Sequence, residues 1–213
     1  RSVREFFVSQ GYWEVETPLL SRDTCVDPWI DPVGVPHPSR PGEVLYLQTS
    51  PEFAMKRLLA AGADAIFQVT RSFRRGEAGP RHNLEFTIVE WYRVGETHHD
   101  QMALVEGLVR SVAGTRLSGE AAAGSHRLPA GPFSRFTFDA AARGALGSSV
   151  LDKSNAELVD LAREHGVEAP ASLTSSDRDG WLNLLLAERI EPWLAQYPAC
   201  FLYDYPASQA ALA

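Results

Sequence analysis

The chain opens with a short amphipathic pattern. Val3, Phe6 and Phe7 fall on one face of a helix over residues 2–10, and Gly11 suits the position just after the helix end. The next residues, YWEVETPLL, are rich in strand-forming side chains and reach Pro18, which has no backbone N–H to donate. The pattern therefore predicts a helix followed by a strand that ends at this proline.

Two alternating runs predict an antiparallel hairpin. Residues 65–73 and 85–94 have the alternation of strands, and a polar loop containing Gly76, Gly79 and Pro80 joins them. The period of two assigns one face of the second strand to Phe86, Ile88, Glu90 and Tyr92, and the other to Thr87, Val89, Trp91 and Arg93.

The remaining segments are predicted from their helix and loop signals. Residues 21–43 are rich in proline, which predicts a long loop. Ser50 as N-cap and Pro51 at the first helical position predict a helix that closes at Gly62. Further helices are predicted from Thr97 and Asp100 onward, near 154–165 and near 178–195, with a surface connection over 114–135 and a strand over 199–205.

Composition and charge exclude several classes of protein. The 213 residues are 45% hydrophobic and 22% charged, which excludes a disordered chain. No apolar run reaches the roughly 18 residues of a membrane helix, and the first residues do not resemble a signal peptide. We therefore expect a cytoplasmic protein with no membrane partner.

Cysteine and charge counts add two further expectations. Cys25 and Cys200 are far apart, with no Cys/His cluster at zinc spacing, so no structural metal is expected. The formal net charge of −7 gives no overall attraction to nucleic acid, although it leaves a local basic patch open.

The acidic residues with the most chemical interest are Glu90 and Glu52. Glu90 lies in an apolar strand, so its carboxylate needs a structural cation such as Arg71 or a ligand cation. Glu52 in the first helical turn either complements the helix dipole or binds a substrate ammonium. Adjacent His98 and His99 point about 100° apart on a helix and have no third ligand, so we expect them to face solvent.

The hairpin loop concentrates hydrogen-bond donors. Arg74 and Arg75 precede its glycine turn, and Arg81, His82 and Asn83 return from it. Such a loop can clamp a nucleotide phosphate bidentately, or it can be a solvated basic loop.

These motifs occur in an order that resembles the class II aminoacyl-tRNA synthetase catalytic domain. FFVSQGYWEVETPLL is similar to its first motif and TRSFRRGEAGPRHNLEFTIVEWY to its second, in the form typical of the lysyl branch. QTSPEFAMKRLLAAG, EWYR and FLYDYPASQAALA narrow the resemblance to the elongation factor P lysine ligases, which are short paralogues of lysyl-tRNA synthetase. The resemblance covers residues 1–213 and implies one α+β catalytic domain, a mostly antiparallel sheet flanked by helices.

The resemblance implies an activity and its site residues. It implies ATP-dependent activation of lysine or (R)-β-lysine and transfer to a lysine side chain of elongation factor P. The residues implied to bind the amino acid are Ser50, Pro51, Glu52, Glu90 and Tyr92, and those implied to bind ATP are Arg74, Arg75, Gly76 and Asn83. Arg74 would stabilise charge developing on the α-phosphate, Mg²⁺ would neutralise the phosphates, and His82 and Glu77 would shape the loop.

The resemblance also implies a homodimer, formed through residues 1–20, and does not imply tRNA as a partner. Two departures from the family pattern stand out. Gly76 occupies the place of an acid, with Glu77 one residue later, and the third motif with its ATP-binding arginine is absent before Ala213. We therefore expect a truncated chain with weak or no activation activity by itself. Two alternatives remain, a lysyl-tRNA synthetase fragment and a noncatalytic binding module.

Overall fold

The computed structural model describes residues 1–27, 30–76, 78–80, 82–116 and 128–210. The chain divides into two compact units, Arg1–Glu120 and Ala121–Ala213. Helices and strands are mixed in both, which confirms the predicted α+β class. None of the described helices is long and apolar enough to cross a membrane.

The first unit begins with helix α1 (Ser2–Ser9) and strand β1 (Trp13–Glu14). Gly11 follows the helix with a φ of +81°, as the sequence predicts, because glycine adopts this conformation without steric cost. The predicted strand is much shorter than the YWEVETPLL run, since only Trp13 and Glu14 pair, in parallel, with β5 (Ala65–Phe73).

The predicted hairpin is present in the first unit. Strand β5 pairs antiparallel with β6 (Glu85–Arg93), so that Phe67 faces Trp91 and Gln68 faces Glu90. The face carrying Phe67 and Trp91 packs on Phe7 of α1, whose ring centroid lies 4.9 Å and 5.1 Å from theirs. Because side chains alternate along a strand, Glu90 and Tyr92 lie on the opposite face.

A second small sheet corrects the prediction of a loop over residues 21–43. Its strands β2 (Leu20–Ser21), β3 (Val33–Pro36) and β4 (Val44–Leu47) have the order β2-β4-β3 and are antiparallel. Proline is tolerated in β3 because β3 is an edge strand and Pro36 is its last residue. Helix α2 (Glu52–Ala60) follows β4.

Helix α3 (His98–Arg116) follows the hairpin. At its start, the carboxylate of Asp100 accepts hydrogen bonds from the backbone N–H (2.8 Å) and hydroxyl (2.7 Å) of Thr97, as the capping pattern predicts. The predicted connection over 114–135 is too long at both ends, because α3 continues to Arg116 and strand β7 begins at Ser134. Residues 117–127 lie outside the described ranges.

The second unit is mainly helical. Its two strands, β7 (Ser134–Thr137) and β8 (Cys200–Tyr203), pair in parallel. Its described α-helices are α4 (Phe138–Leu146), α5 (Asn155–Glu164), α6 (Arg178–Leu185) and α7 (Glu191–Leu194). A π-helical turn, Leu186–Ile190, joins α6 to α7, and a 3-10 helix, Ala207–Gln209, follows β8. The sequence predicts α5, the α6–α7 segment and β8, but not β7 or α4.

The core of the second unit lies between these helices. Phe138, Leu158, Leu182, Leu185 and Ile190 are fully buried there. Full burial of one such side chain stabilises a fold by about 1.5–3 kcal/mol. Ser154 and Glu157 form the predicted capping box at the start of α5.

Candidate active site

The turn from β4 into α2 brings Ser50 onto the polar face of β6. The Ser50 hydroxyl donates to Oε1 of Glu90 over 2.6 Å and accepts from the backbone N–H of Glu52 over 3.0 Å. This corrects the predicted helix start: Pro51, not Ser50, is the N-cap, and it provides no side-chain hydrogen bond. Ser50 still accepts a backbone N–H of the first helical turn, from one residue before the N-cap.

Glu90 is half-buried and is held by hydroxyl groups. Besides Ser50, the Tyr92 hydroxyl donates to its Oε2 over 3.1 Å. Burial raises the pKa of the Glu90 carboxyl above its usual range, although these two hydrogen bonds and the nearby Arg74 oppose the rise. Burial thus makes the charge of the Glu90 carboxylate costly, and a cation beside it would stabilise that charge.

The structural partner suggested for Glu90 by the sequence is wrong. Arg71 contacts the Thr87 hydroxyl over 2.9 Å and the Glu85 carboxylate over 3.5 Å. Side chains alternate along β5 and β6, so Arg71 lies with Thr87 on the face away from Glu90. Among the described residues, Glu90 has hydroxyl donors and no ion pair.

Glu52 is a second carboxylate at the same turn, and it is only 8% exposed. Its Oε1 accepts from the Lys56 ammonium over 2.6 Å, one helical turn along α2. The Cys25 thiol lies 3.7 Å from its Oε2. Burial, with the Glu52 carboxylate next in importance, raises the pKa of this thiol to about 11, so the thiol is uncharged at neutral pH.

Sequence reasoning missed Lys56. The signal was present, because a Glu followed four residues later by a Lys forms a pair on a helix surface. The ammonium also lies 5.8 Å from the centroid of the Tyr92 ring, so Lys56 connects Glu52 with Tyr92.

Tyr92 completes this group of side chains. Its hydroxyl is bound to Glu90, and burial, followed by the charges of Glu90 and Glu52, raises its pKa, so it stays protonated as a donor. An aromatic ring beside two carboxylates can pack against an alkyl chain while the carboxylates bind ammonium groups. The arrangement suits a ligand with an apolar stem and more than one positive charge.

Arg74 stands at the end of β5, on the side of the predicted nucleotide site. It is half-buried, its Nε is 3.4 Å from the carbonyl oxygen of Thr49, and its guanidinium lies 5.1 Å from the centroid of the Phe86 ring. Phe86 is not among the predicted site residues, although the alternation along its strand predicts that it shares a face with Glu90. A planar cation and an aromatic ring in contact form a surface suited to a phosphate and a base.

The other predicted ATP residues are exposed. The backbone N–H of Arg75 donates to the Asp31 carbonyl over 2.9 Å, and Gly76 has a φ of +82°. His82 and Asn83 lie on the returning side of the loop, where His82 exchanges backbone hydrogen bonds with Gly79. Glu77 lies outside the described residues.

Side chains that could bind a metal ion are scattered over the described part of the chain. Within the described ranges, no group of three or more His, Cys, Asp or Glu residues could hold a metal ion. His98 and His99 are both exposed, with ring centroids 4.2 Å apart.

The sequence as a whole matches the family described as tRNA synthetases class II (D, K and N) over residues 1–213. The chain belongs to the class II tRNA synthetase family. This match confirms the resemblance drawn from the two motifs. Membership of the family also accounts for the order of these motifs along the chain.

Three curated relatives of this class II chain are named elongation factor P--(R)-beta-lysine ligase. The protein of Pseudoalteromonas translucida is 42% identical over 218 residues, covering 100% of this chain and 62% of the relative. That of Vibrio cholerae is 39% identical over 218 residues with the same coverage, and that of Mannheimia succiniciproducens is 38% identical over 219 residues. The chain thus spans about three fifths of the length of these relatives.

Proposed function

We propose that this chain is the amino-acid-activating part of an ATP-dependent ligase that modifies elongation factor P. Its substrate is (R)-β-lysine or lysine, and its acceptor is a lysine side chain of the factor. The observation that carries the proposal is the hydrogen-bonded group Ser50, Glu90 and Tyr92 beside the Glu52 carboxylate. The names of the relatives support the same reading.

In this proposal the amino acid lies against Tyr92. Its two ammonium groups bind the carboxylates of Glu52 and Glu90, while Ser50 and Pro51 hold the turn that carries Glu52. A cation between the carboxylates offsets the cost of burying them. Lysine and β-lysine both have two ammonium groups joined by an alkyl chain.

ATP binds on the side of Arg74, with Arg75, Gly76 and Asn83 around its phosphates and base, and His82 and Glu77 shaping the loop. A carboxylate oxygen of the amino acid attacks the α-phosphorus, and pyrophosphate leaves with the electrons of the broken P–O bond. Arg74 stabilises the negative charge that develops on the α-phosphate. The acceptor amine then attacks the acyl carbon, AMP leaves, and the amine loses a proton as the amide forms.

Magnesium supplies charge neutralisation on the ATP phosphates in this class of reaction. The described residues provide no cluster of ligands for it.

The proposed acceptor is a translation factor, so the proposed location is the cytoplasm. The proposed assembly is a homodimer formed through residues 1–20.

The test is the intact mass of elongation factor P after incubation with the complete gene product, ATP, Mg²⁺ and (R)-β-lysine. A tRNA-charging reaction is run alongside. The expected result is a mass gain of one lysyl unit with no charged tRNA. Charged tRNA with unmodified factor would instead assign the chain to a lysyl-tRNA synthetase, and no product in either reaction would favour a noncatalytic binding module.

A further inference from the structure

Lys56 is the residue of the candidate site that the proposed function leaves without a role. Its ammonium is 2.6 Å from Glu52 Oε1 and 5.8 Å from the Tyr92 ring centroid, so it lies among the groups proposed to bind the amino acid. The Lys56 side chain is 39% exposed, whereas that of Glu52 is 11% exposed. A buried carboxylate thus receives its cation from a lysine that reaches in from the surface.

The two carboxylates of the site differ in their partners. Glu52 is bound by an ammonium, whereas the described residues give Glu90 the uncharged hydroxyls of Ser50 and Tyr92. The Cys25 thiol beside Glu52 adds no charge at neutral pH. Lys56 therefore makes the pocket one unit less negative than its two carboxylates alone would be.

We propose that Lys56 is a specificity-determining residue, whose charge favours a substrate with two ammonium groups and one carboxylate over a diamine. This inference rests on the proposed function. An amino acid of this kind carries a net charge of +1, whereas the diamine formed by removing its carboxylate carries +2.

The physical reason is that the charge of Lys56 acts on the whole ligand. Each positive charge of the ligand is repelled by the Lys56 ammonium, and a ligand carboxylate is attracted by it. Removal of this ammonium therefore increases the affinity for a diamine more than the affinity for the amino acid. The amino acid also loses the attraction between its carboxylate and Lys56, and the diamine has no such attraction to lose. At separations of several ångströms in a partly hydrated pocket, one unit charge changes the relative affinity on the order of tenfold.

The experiment measures dissociation constants by calorimetry for (R)-β-lysine, lysine and 1,5-diaminopentane with the complete gene product. In the unsubstituted protein the amino acids are expected to bind more tightly than the diamine. Lys56→Gln is expected to shift the affinity ratio toward the diamine on the order of tenfold. Lys56→Arg keeps the positive charge and is expected to shift the ratio less than threefold.

A matched control is available on the same helix. Arg57 is exposed and immediately follows Lys56, so Arg57→Gln changes the net charge of the protein equally without touching Glu52. It is expected to leave the ratio unchanged. Lys56→Met, which keeps an unbranched side chain against Tyr92, is the second variant to use if Lys56→Gln does not fold.

The two proposals fail in different ways. If the unsubstituted protein binds neither amino acid, the proposed function is wrong. If it binds them and the Lys56 variants keep the same ratio of diamine to amino-acid affinity, or if Arg57→Gln shifts that ratio as much, the role of Lys56 is overturned.

Discussion

The Ser50 hydroxyl donates to Oε1 of Glu90 over 2.6 Å and thereby joins the start of α2 to the centre of β6. The same oxygen accepts the backbone N–H of Glu52 over 3.0 Å. One side chain therefore joins the carboxylate of Glu90 to the backbone of Glu52, which carries the second acid of the site.

The pH dependence of substrate binding tests the state of Glu90. Its carboxyl pKa is raised by burial, and only the ionised form pairs with an ammonium. Affinity for the amino acid is expected to rise as pH increases through this raised pKa and to level off above it. Ser50→Ala removes a hydrogen bond that lowers the pKa, so its midpoint is expected at a higher pH.

The measurement is the dissociation constant of the amino acid from pH 4, below the ordinary pKa of a glutamate, to pH 8. Ser9→Ala is the control, because the Ser9 hydroxyl bonds the Phe6 carbonyl on the exposed surface of α1. If the affinity does not change with pH in the unsubstituted protein or in the Ser50→Ala variant, Glu90 does not bind the substrate ammonium.

Arg74→Ala is expected to lower the rate of adenylate formation on the order of a hundredfold or more. The substitution removes the guanidinium that stabilises the negative charge developing on the α-phosphate. The measurement is ATP–pyrophosphate exchange in the complete gene product. Arg71→Ala is the matched control, because Arg71 lies on the other face of β5 and pairs with exposed Glu85. Equal rates for the two alanine variants would contradict the role of Arg74.

Exposed apolar side chains lie within the proposed dimer interface, near the amino terminus, and substitution of one of them tests the dimer. Val8 of α1 is 60% exposed and Trp13 of β1 is 70% exposed. Burial of both in a subunit interface would stabilise it by several kcal/mol. Trp13→Arg is therefore expected to shift the protein from dimer to monomer in sedimentation equilibrium.

Val44→Glu is the control for this experiment, because Val44 is a similarly exposed apolar residue outside residues 1–20. It is expected to leave the mass in solution unchanged. A protein that stays dimeric with Trp13→Arg would argue for a different interface.

Substitution of two glycines by alanine is expected to change the free energy of unfolding in opposite directions. One glycine lies in each of the two units. A Cβ at Gly144 of α4 would collide with the Trp193 ring, so Gly144→Ala is expected to destabilise the protein by about 1–3 kcal/mol. A Cβ at Gly114 of α3 would meet nothing within 4 Å. Gly114→Ala is expected to stabilise by about 0.5–1 kcal/mol, because alanine favours the helix.

Urea unfolding of both variants and the unsubstituted protein measures these differences. If Gly144→Ala leaves the midpoint of unfolding unchanged, Trp193 does not pack against α4 as described.

The sequence predicts the hairpin well because its pattern is local. Alternation along β5 and β6 separates the side of Phe67 and Trp91 from the side of Glu90, and the structure has this division. The short strand β3 is not predictable in the same way. Pro36 at its end and Pro32 just before it indicate a loop, and the strand forms by pairing with β4, from Val33 with Leu47 to Pro36 with Val44.

The partners of the site acids divide similarly. Lys56 could have been found from its spacing to Glu52 on one helix. The contact of Glu90 with Ser50 depends on how α2 packs on β6, which no local pattern contains. The side of Arg71 depends on the register between β5 and β6, which pairs Arg71 with Thr87 and which the alternation of either strand alone does not give.

The register between β5 and β6 constrains how this family member can change by insertion and deletion. Nine residue pairs fix the register, and the loop of residues 74–84 lies beyond its last pair. Residues can be gained or lost in that loop without turning β6 over. One residue lost inside β6 would turn the residues beyond it over, giving Trp91 the polar side and Tyr92 the side of Phe7. The strand register therefore tolerates a change of length only in the loop, where the change must also keep Arg75 and Asn83 in place for the proposed binding of ATP.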